Sequence, residues 1–297
     1  MTGYGVGGVG ALPLVSIGLP VFNGEHSLEK VIAAFLAQSF ENFELIISDN
    51  ASTDGTENIC RTAAARDGRI RYVRQPSNLG AAGNFKFVLD QARGRYYMWA
   101  AADDLRSPDF LAENLAFLDS HPEYVASTCP NCFEGEEDQP SKWIRFSIAG
   151  NLKERYLAFL SNCWQSHGIF YSLMRIDVIR QCEILGQSFT AADWGIDFFL
   201  GSHGSIHRTK AGLTVFGRHG LSSRSGSWHV FRNQSLELFL PFYRFSAYAL
   251  RLMKPLAPGP WLQVFLVILK INFKASTDQA HSFLYAFYSR HFKSTTL

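Results

Sequence analysis

Two acidic tips in this chain stand where short apolar runs stop. Phe43 to Ser48 reads as a strand that ends at Asp49, Asn50, Ser52 and Thr53, and Arg95 to Ala102 reads as another that ends at Asp103-Asp104. In an open parallel sheet the carboxyl ends of neighbouring strands form the crevice where ligands bind. Pro20 to Asn23, which close a first strand Leu14 to Leu19, and Asp49 to Ser52 should therefore line one site. Carboxylates beside such a crevice suit Mg2+ or Mn2+, which prefer carboxylate and phosphate oxygens.

The elements that must hold these tips follow from periodicity. Ser27 to Gln38 places Leu28, Val31, Ile32, Phe35 and Leu36 on one helical stripe, and Asp54-x-x-Glu57 has the form of a capping box for a helix to Arg66. Ile70 to Arg74 is a third strand, Gly80 to Arg93 a helix, and Ser107-Pro108 opens a helix to Ser120. Four strands alternating with helices specify a parallel sheet with right-handed crossovers, an α/β, Rossmann-like class. Beyond it the pattern loosens. We expect a strand over Tyr124 to Phe133, a helix near Asn151 to Asn162, a strand at Ile169 to Leu173, a helix near Ile176 to Leu185, a helix opening near Ala192, and a late strand at Gly212 to Arg218. Asn233 to Phe292 reads as two or three helices parted by the proline-rich stretch 255–260.

Composition narrows the classes. The net charge of +2 hides an asymmetry: residues 205–297 carry 12 Lys/Arg against 2 Asp/Glu, leaving 16 against 24 before them. A basic, aromatic-rich tail suits an anionic surface such as a phospholipid leaflet or a lipid-linked pyrophosphate. No nucleic-acid recognition module is present. Five cysteines without framework spacing favour a reducing cytoplasm, and Cys129-x-x-Cys132 has no second pair to complete a zinc site. Gly5-x-Gly7-x-x-Gly10 precedes the first strand, whereas a dinucleotide fingerprint must follow one. We expect no signal peptide, and the longest apolar run, Trp261 to Leu269, is far below the ~20 residues that span a bilayer.

Pro20-Val21-Phe22-Asn23-Gly24-Glu25, Gln38-Ser39-Phe40, Ile47 to Thr56, Asn78-Leu79-Gly80 and Asp103-Asp104 together resemble the amino-terminal half of a family 2 glycosyltransferase. The resemblance covers residues 13–125 and implies the A-type glycosyltransferase fold. It also implies that Pro20, Val21, Phe22 and Asp49 meet the base and ribose of a nucleoside-diphosphate sugar, with UDP the first choice, and that Gly80, Asn84 and Ala102 lie near the donor. The family's Asp-x-Asp-Asp is matched by Ala101, Ala102, Asp103 and Asp104, so Asp103 inherits the metal role and the first aspartate is missing. An inverting transfer needs a general base on the acceptor hydroxyl. By resemblance that role falls to Asp193, with Asp197 as rival and a plain N-cap as the bland alternative. His219 is a candidate to complete the metal shell, and Arg218 and Arg224 to meet diphosphate. Trp143, Trp164, Trp194 and Trp228 are candidates to stack on sugar faces, though such residues are more often core.

The domain plan is a leader over 1–12, the A-type domain over 13–232 divided at 125, and a basic helical tail over 233–297. The expected activity is metal-assisted, inverting sugar transfer to a hydroxyl of a glycan or lipid-linked acceptor in polysaccharide biosynthesis of the cell envelope. The expected setting is the cytoplasm, with peripheral membrane contact and a homo-oligomer left open. Ala101 keeps alive the alternative of a silent nucleotide-sugar or glycan-binding protein. A nucleotidyltransferase would need a glycine-rich basic loop where Pro20 to Asn23 stand.

Overall fold

A computed structural model of the chain describes residues 12–218, 237 and 240–292, with side chains as far as 278. The leader to residue 11, His219, the Gly220 to Ser227 stretch with Arg224, and Trp228 lie outside the described residues.

Apolar strands buried on both faces fill the centre. β1 (Val15–Val21), β2 (Phe43–Asp49), β3 (Ile70–Arg74) and β4 (Tyr96–Trp99) pair in parallel, with β2 and β4 flanking β1 and β3 outermost. Their connections are α1 (Leu28–Leu36), α2 (Thr56–Arg66) and α3 (Gly80–Asp90). Alternation sends Leu45 and Ile47 into one core with Val15, Ile17 and α1, and Ile46 into the other with Val88 and Trp99. Gly18 faces the second core, where an added Cβ would strike the Tyr97 hydroxyl and Val88, so only glycine lets α3 lie this close.

The second half completes the sheet with mixed polarity. After the two-residue β5 (Leu105–Arg106) and α4 (Phe110–Ser120) come β6 (Tyr124–Thr128) and β7 (Asn131–Phe133). The single strand expected over Tyr124 to Phe133 is thus divided, because Pro130 cannot donate to a ladder and the chain changes sheets there. α5 (Leu152–Asn162) starts on a reciprocal cap, with Asn151 and Glu154 each accepting the other's backbone N–H. The expected strand at Ile169 to Leu173 is instead α6 (His167–Phe170) followed by β8 (Leu173–Arg175), and the helix to Leu185 stops early as α7 (Ile176–Ile179). Short apolar runs do not distinguish strand from helix.

α8 (Ala192–His203) leads into β9 (Ser205–Arg208), which was not foreseen, and β10 (Thr214–Phe216) follows. The large sheet has seven strands in the order β3-β2-β1-β4-β8-β6-β9, with β8 antiparallel to both neighbours; β5-β10-β7 form a small second sheet. α9 (Tyr243–Leu252) and α10 (Pro258–Phe292) pack on α8 and α5 through Phe245, Tyr248, Val264 and Ile268. Among the described residues no helix is long and apolar enough to cross a membrane.

Candidate active site

The loop after β1 is tied to both acidic tips. On one side Asn50 N donates to Val21 O at 2.8 Å, Asn23 N to Ser52 Oγ at 2.9 Å, and Thr53 N to Asn23 Oδ1 at 2.8 Å. On the other, Ser27 Oγ donates to the Ala102 carbonyl at 2.7 Å. Phe22 projects from this loop half-exposed, while Pro20 and Val21 are buried. Among the described residues the non-glycine positive φ values are at Asn23 (53°), Ala51 (61°) and Ala191 (64°), each beside a candidate residue. A left-handed L-residue costs on the order of 1 kcal/mol, and such strain concentrates where a site must be held in one shape.

Asp49 is fully buried and both of its oxygens are engaged by protein. Oδ1 accepts Ser52 N at 2.8 Å; Oδ2 accepts the Tyr72 hydroxyl at 3.0 Å and Arg74 Nη1 at 2.6 Å. Burial, then the Asp49 carboxylate, hold the Tyr72 hydroxyl well above its ordinary pKa. Asp49 therefore braces the wall, and the group nearer solvent is Arg74, whose side chain is 33% exposed. Sequence reading missed Arg74. The signal was in the register, since parallel pairing sets it beside Asp49. Asn50 holds the next turn, donating to Asn78 Oδ1 at 2.9 Å and accepting Leu79 N at 2.8 Å, so that exposed Gly80 begins α3. Asn84 is buried, and its amide is bonded to Ser48.

At the other tip Asp103 is half-buried and Gly217 lies directly on it: a Cβ at 217 would meet Asp103 O and Oδ2 at 2.6 Å. Asp104 is buried, accepts Gly217 N at 3.1 Å, and stands 4.0 Å from Arg106 Nη2. Burial pushes its carboxyl up to about 7, against the pull of Arg106. The Arg106 guanidinium is enclosed by Phe35, Phe110 and Tyr171 at 5.5 to 5.8 Å, and its nitrogens have no hydrogen-bond partner. Tyr171 lies within the charge field of Asp104, Asp103 and Asp193, and burial first and then those carboxylates drive its hydroxyl far above the usual value.

Asp193 sits in the first turn of α8, just after left-handed Ala191. It is exposed, yet surrounding protein displaces enough water to raise its carboxyl pKa, opposed by the Trp194 backbone N–H and by His167. Asp197 is closed off: it is buried, its Oδ1 has no partner, and burial followed by the Asp193 charge pushes it well above the carboxylate range. Trp194 packs on Trp164 at 5.0 Å edge-on and on Phe242 at 4.9 Å. Beside them a cavity of about 380 Å³ is lined by Phe133, Glu136, Lys142, Trp164, Gln165 and His167, among others. Arg218 bonds Glu134 O and Glu136 Oε1.

Among the described residues no group of three His, Cys, Asp or Glu side chains could hold a metal. Asp103 offers one hard oxygen donor, which fits Mg2+ or Mn2+ carried chiefly by phosphate oxygens and water. Asp104, buried against Arg106, does not fit that task.

The family model described as Glycosyl transferase family 2 matches residues 16–177, more than half of the chain. The chain belongs to that family. It is a family of enzymes, and the matched segment runs from β1 through β8, containing both acidic tips and ending before Asp193. EpsE of Bacillus subtilis (strain 168), named as a glycosyltransferase, is 37% identical over 113 residues, 38% of this chain and 41% of its own. TuaG of the same organism, named as a teichuronic acid biosynthesis glycosyltransferase, is 37% identical over 106 residues, 36% of this chain and 42% of its own. The chain thus spans about two fifths of the length of these relatives. An uncharacterized protein of Mycobacterium tuberculosis (strain ATCC 25618 / H37Rv) is 37% identical over 218 residues, 70% of this chain and 58% of its own. Among solved structures, S. aureus TarS 1-349 in complex with UDP-GlcNAc has a TM-score of 0.67 at 17% identity, over 94% of this chain and 76% of that one. The mannosyltransferase PcManGT from Pyrobaculum calidifontis, in complex with GDP-Man and Mn2+, has a TM-score of 0.60 at 17% identity, over 97% and 77%. These likenesses make the fold of this family 2 chain the A-type glycosyltransferase fold.

Proposed function

We propose that the protein moves a sugar from a nucleoside diphosphate to a hydroxyl of a glycan or lipid-linked acceptor, with inversion at the transferred carbon. The observation that carries this reading is the setting of Asp193. It is exposed in the first turn of α8, burial by nearby protein raises its carboxyl pKa, and its charge reaches the Tyr171 hydroxyl together with those of Asp103 and Asp104. A carboxylate with a raised pKa can take the acceptor proton as the hydroxyl attacks, and buried Asp197 cannot reach a substrate. The loop Pro20 to Asn23 and the wall braced by Asp49 would hold the nucleotide, with Phe22 as aromatic face. Gly80 and Ala102, lacking bulk, would let the donor approach, while Asn84 would act by holding β2. Asp103 would hold Mn2+ or Mg2+, which when bound neutralises charge growing on the leaving diphosphate. His219 stays a proposed further ligand.

The relatives support the nucleotide-sugar and envelope reading: one is named for teichuronic acid biosynthesis, and the neighbouring structures hold UDP-GlcNAc and GDP-Man. The test is donor turnover on a panel of UDP- and GDP-sugars, with and without Mn2+. Metal-dependent turnover lost in Asp103→Ala is expected, and equal, metal-independent turnover in both proteins would overturn the metal role. Ala101, in place of an acidic residue, favours a second reading as a silent donor-binding protein. Measured transfer to any acceptor excludes it.

A further inference from the structure

We infer that the exposed face of α10 docks on an anionic lipid surface. Four large apolar side chains stand in solvent along this helix: Leu262 (51% exposed), Leu266 (54%), Leu269 (45%) and Phe273 (72%). Their spacing of four, three and four residues puts them on one narrow stripe, while Val264, Ile268, Ile271 and Ala275 bury the opposite face in the core. The fold is therefore satisfied without the stripe.

Charge names the occupant. Lys270 borders the stripe, Lys274 is paired with Asp278 at 2.9 Å, exposed Arg251 and Lys254 stand just before the helix, and from residue 238 onward the chain carries 7 Lys/Arg against that one acid. Apolar side chains bordered by cations match the boundary between acyl chains and anionic headgroups. Two such faces pressed together would oppose lysine to lysine with little acid to offset them. Trp261, stacked on Phe265 at 5.0 Å at the edge of the stripe, has the amphipathic ring that favours this interface. The same helix reaches the acceptor side of the proposed site, since the Lys274 ammonium lies 4.9 Å over Trp164. A docked helix would bring that side to the membrane, where a lipid-linked acceptor resides.

The test is flotation of the full chain with phosphatidylcholine vesicles, plain or containing phosphatidylglycerol, without donor or acceptor. Its outcome is thus independent of the proposed transfer. At least ~tenfold stronger binding to the anionic vesicles is expected, weakening as salt is raised. Leu266→Asp with Phe273→Asp should lower binding at least ~tenfold, and Lys254→Glu with Lys270→Glu should remove the preference for anionic lipid. All four residues are exposed, so unchanged thermal melts are expected. Absence of flotation by the wild-type chain, or flotation unchanged in the apolar double variant, overturns the inference. So does a dimer seen by light scattering that the same variant splits.

Discussion

The two acidic tips of the crevice are built in opposite ways. Around Asp49 every polar side chain is engaged: Ser48, Asn50, Tyr72, Arg74, Gln75 and Asn84 form a closed set of bonds across β2, β3 and α3. Around Asp103 to Asp197 buried polar atoms stand without hydrogen-bond partners, including Asp104 Oδ2, the Arg106 nitrogens, Thr190 Oγ1 and Asp197 Oδ1. A closed network resists change, whereas unsatisfied buried groups keep charges out of their ordinary states. The first region can hold a nucleotide in a fixed wall, and the second has the shifted carboxyl groups that proton transfer needs. On the proposed function, recognition and chemistry would be divided along the strand order.

Substitutions that leave one region intact while disabling the other would sharpen this division. Asp193→Asn should have the largest effect, lowering kcat about 100-fold to 10,000-fold with donor affinity unchanged, as turnover and calorimetry on one preparation would measure. A parallel loss of donor affinity would break the division. Asp49→Ala should act oppositely. It strands Tyr72 and Arg74 and should cost about 2 kcal/mol in urea unfolding, below the usual figure for a broken buried pair because Arg74 keeps contact with water. Gly217→Ala, whose new Cβ would press on Asp103, should cost on the order of 1 kcal/mol and reduce metal-dependent turnover more than donor binding.

Legibility in the sequence follows the same division. A run such as Phe43 to Ser48 reads correctly because a parallel strand buried on both faces is continuous and apolar, and the helix before it has a clean stripe. The strand order beyond β4 was hidden. Ser205–Arg208 has a single aliphatic residue, and Arg208 is buried because carbonyls of Cys129 and Phe146 receive its guanidinium, a stabilisation that composition does not announce. Asp193 was recognisable as a residue at a helix start, but only coordinates separate it from Asp197, since exposure differs within one turn. Arg106 and Tyr171 gave no signal at all. The Arg106 guanidinium over the Tyr171 ring joins residues 65 apart in the chain.

The pH dependence of transfer would test the open region directly. Because the Asp193 carboxyl titrates above the usual range, the rate should rise with pH as that proton is lost, with its acid limb above that of an ordinary aspartate. Positive charge on His167 favours the ionised form, so His167→Ala should move the limb to higher pH. A limb unmoved in His167→Ala and at the ordinary carboxylate position would assign proton transfer elsewhere.

Trp164→Ala should have the smallest effect, and it separates two uses of an aromatic residue. Trp164 lines the cavity beside His167, but it also receives the Trp194 edge and the Lys274 ammonium. If the indole serves an acceptor sugar, its loss should raise the acceptor KM about 3-fold to 10-fold with kcat and donor KM unchanged. If it serves only α8 and α10, the melting temperature should fall while acceptor KM stays fixed. Steady-state kinetics with varied acceptor, beside a thermal melt, distinguish the two. The first outcome would extend the open region from Asp193 into the cavity, and the second would confine it to the carboxyl groups.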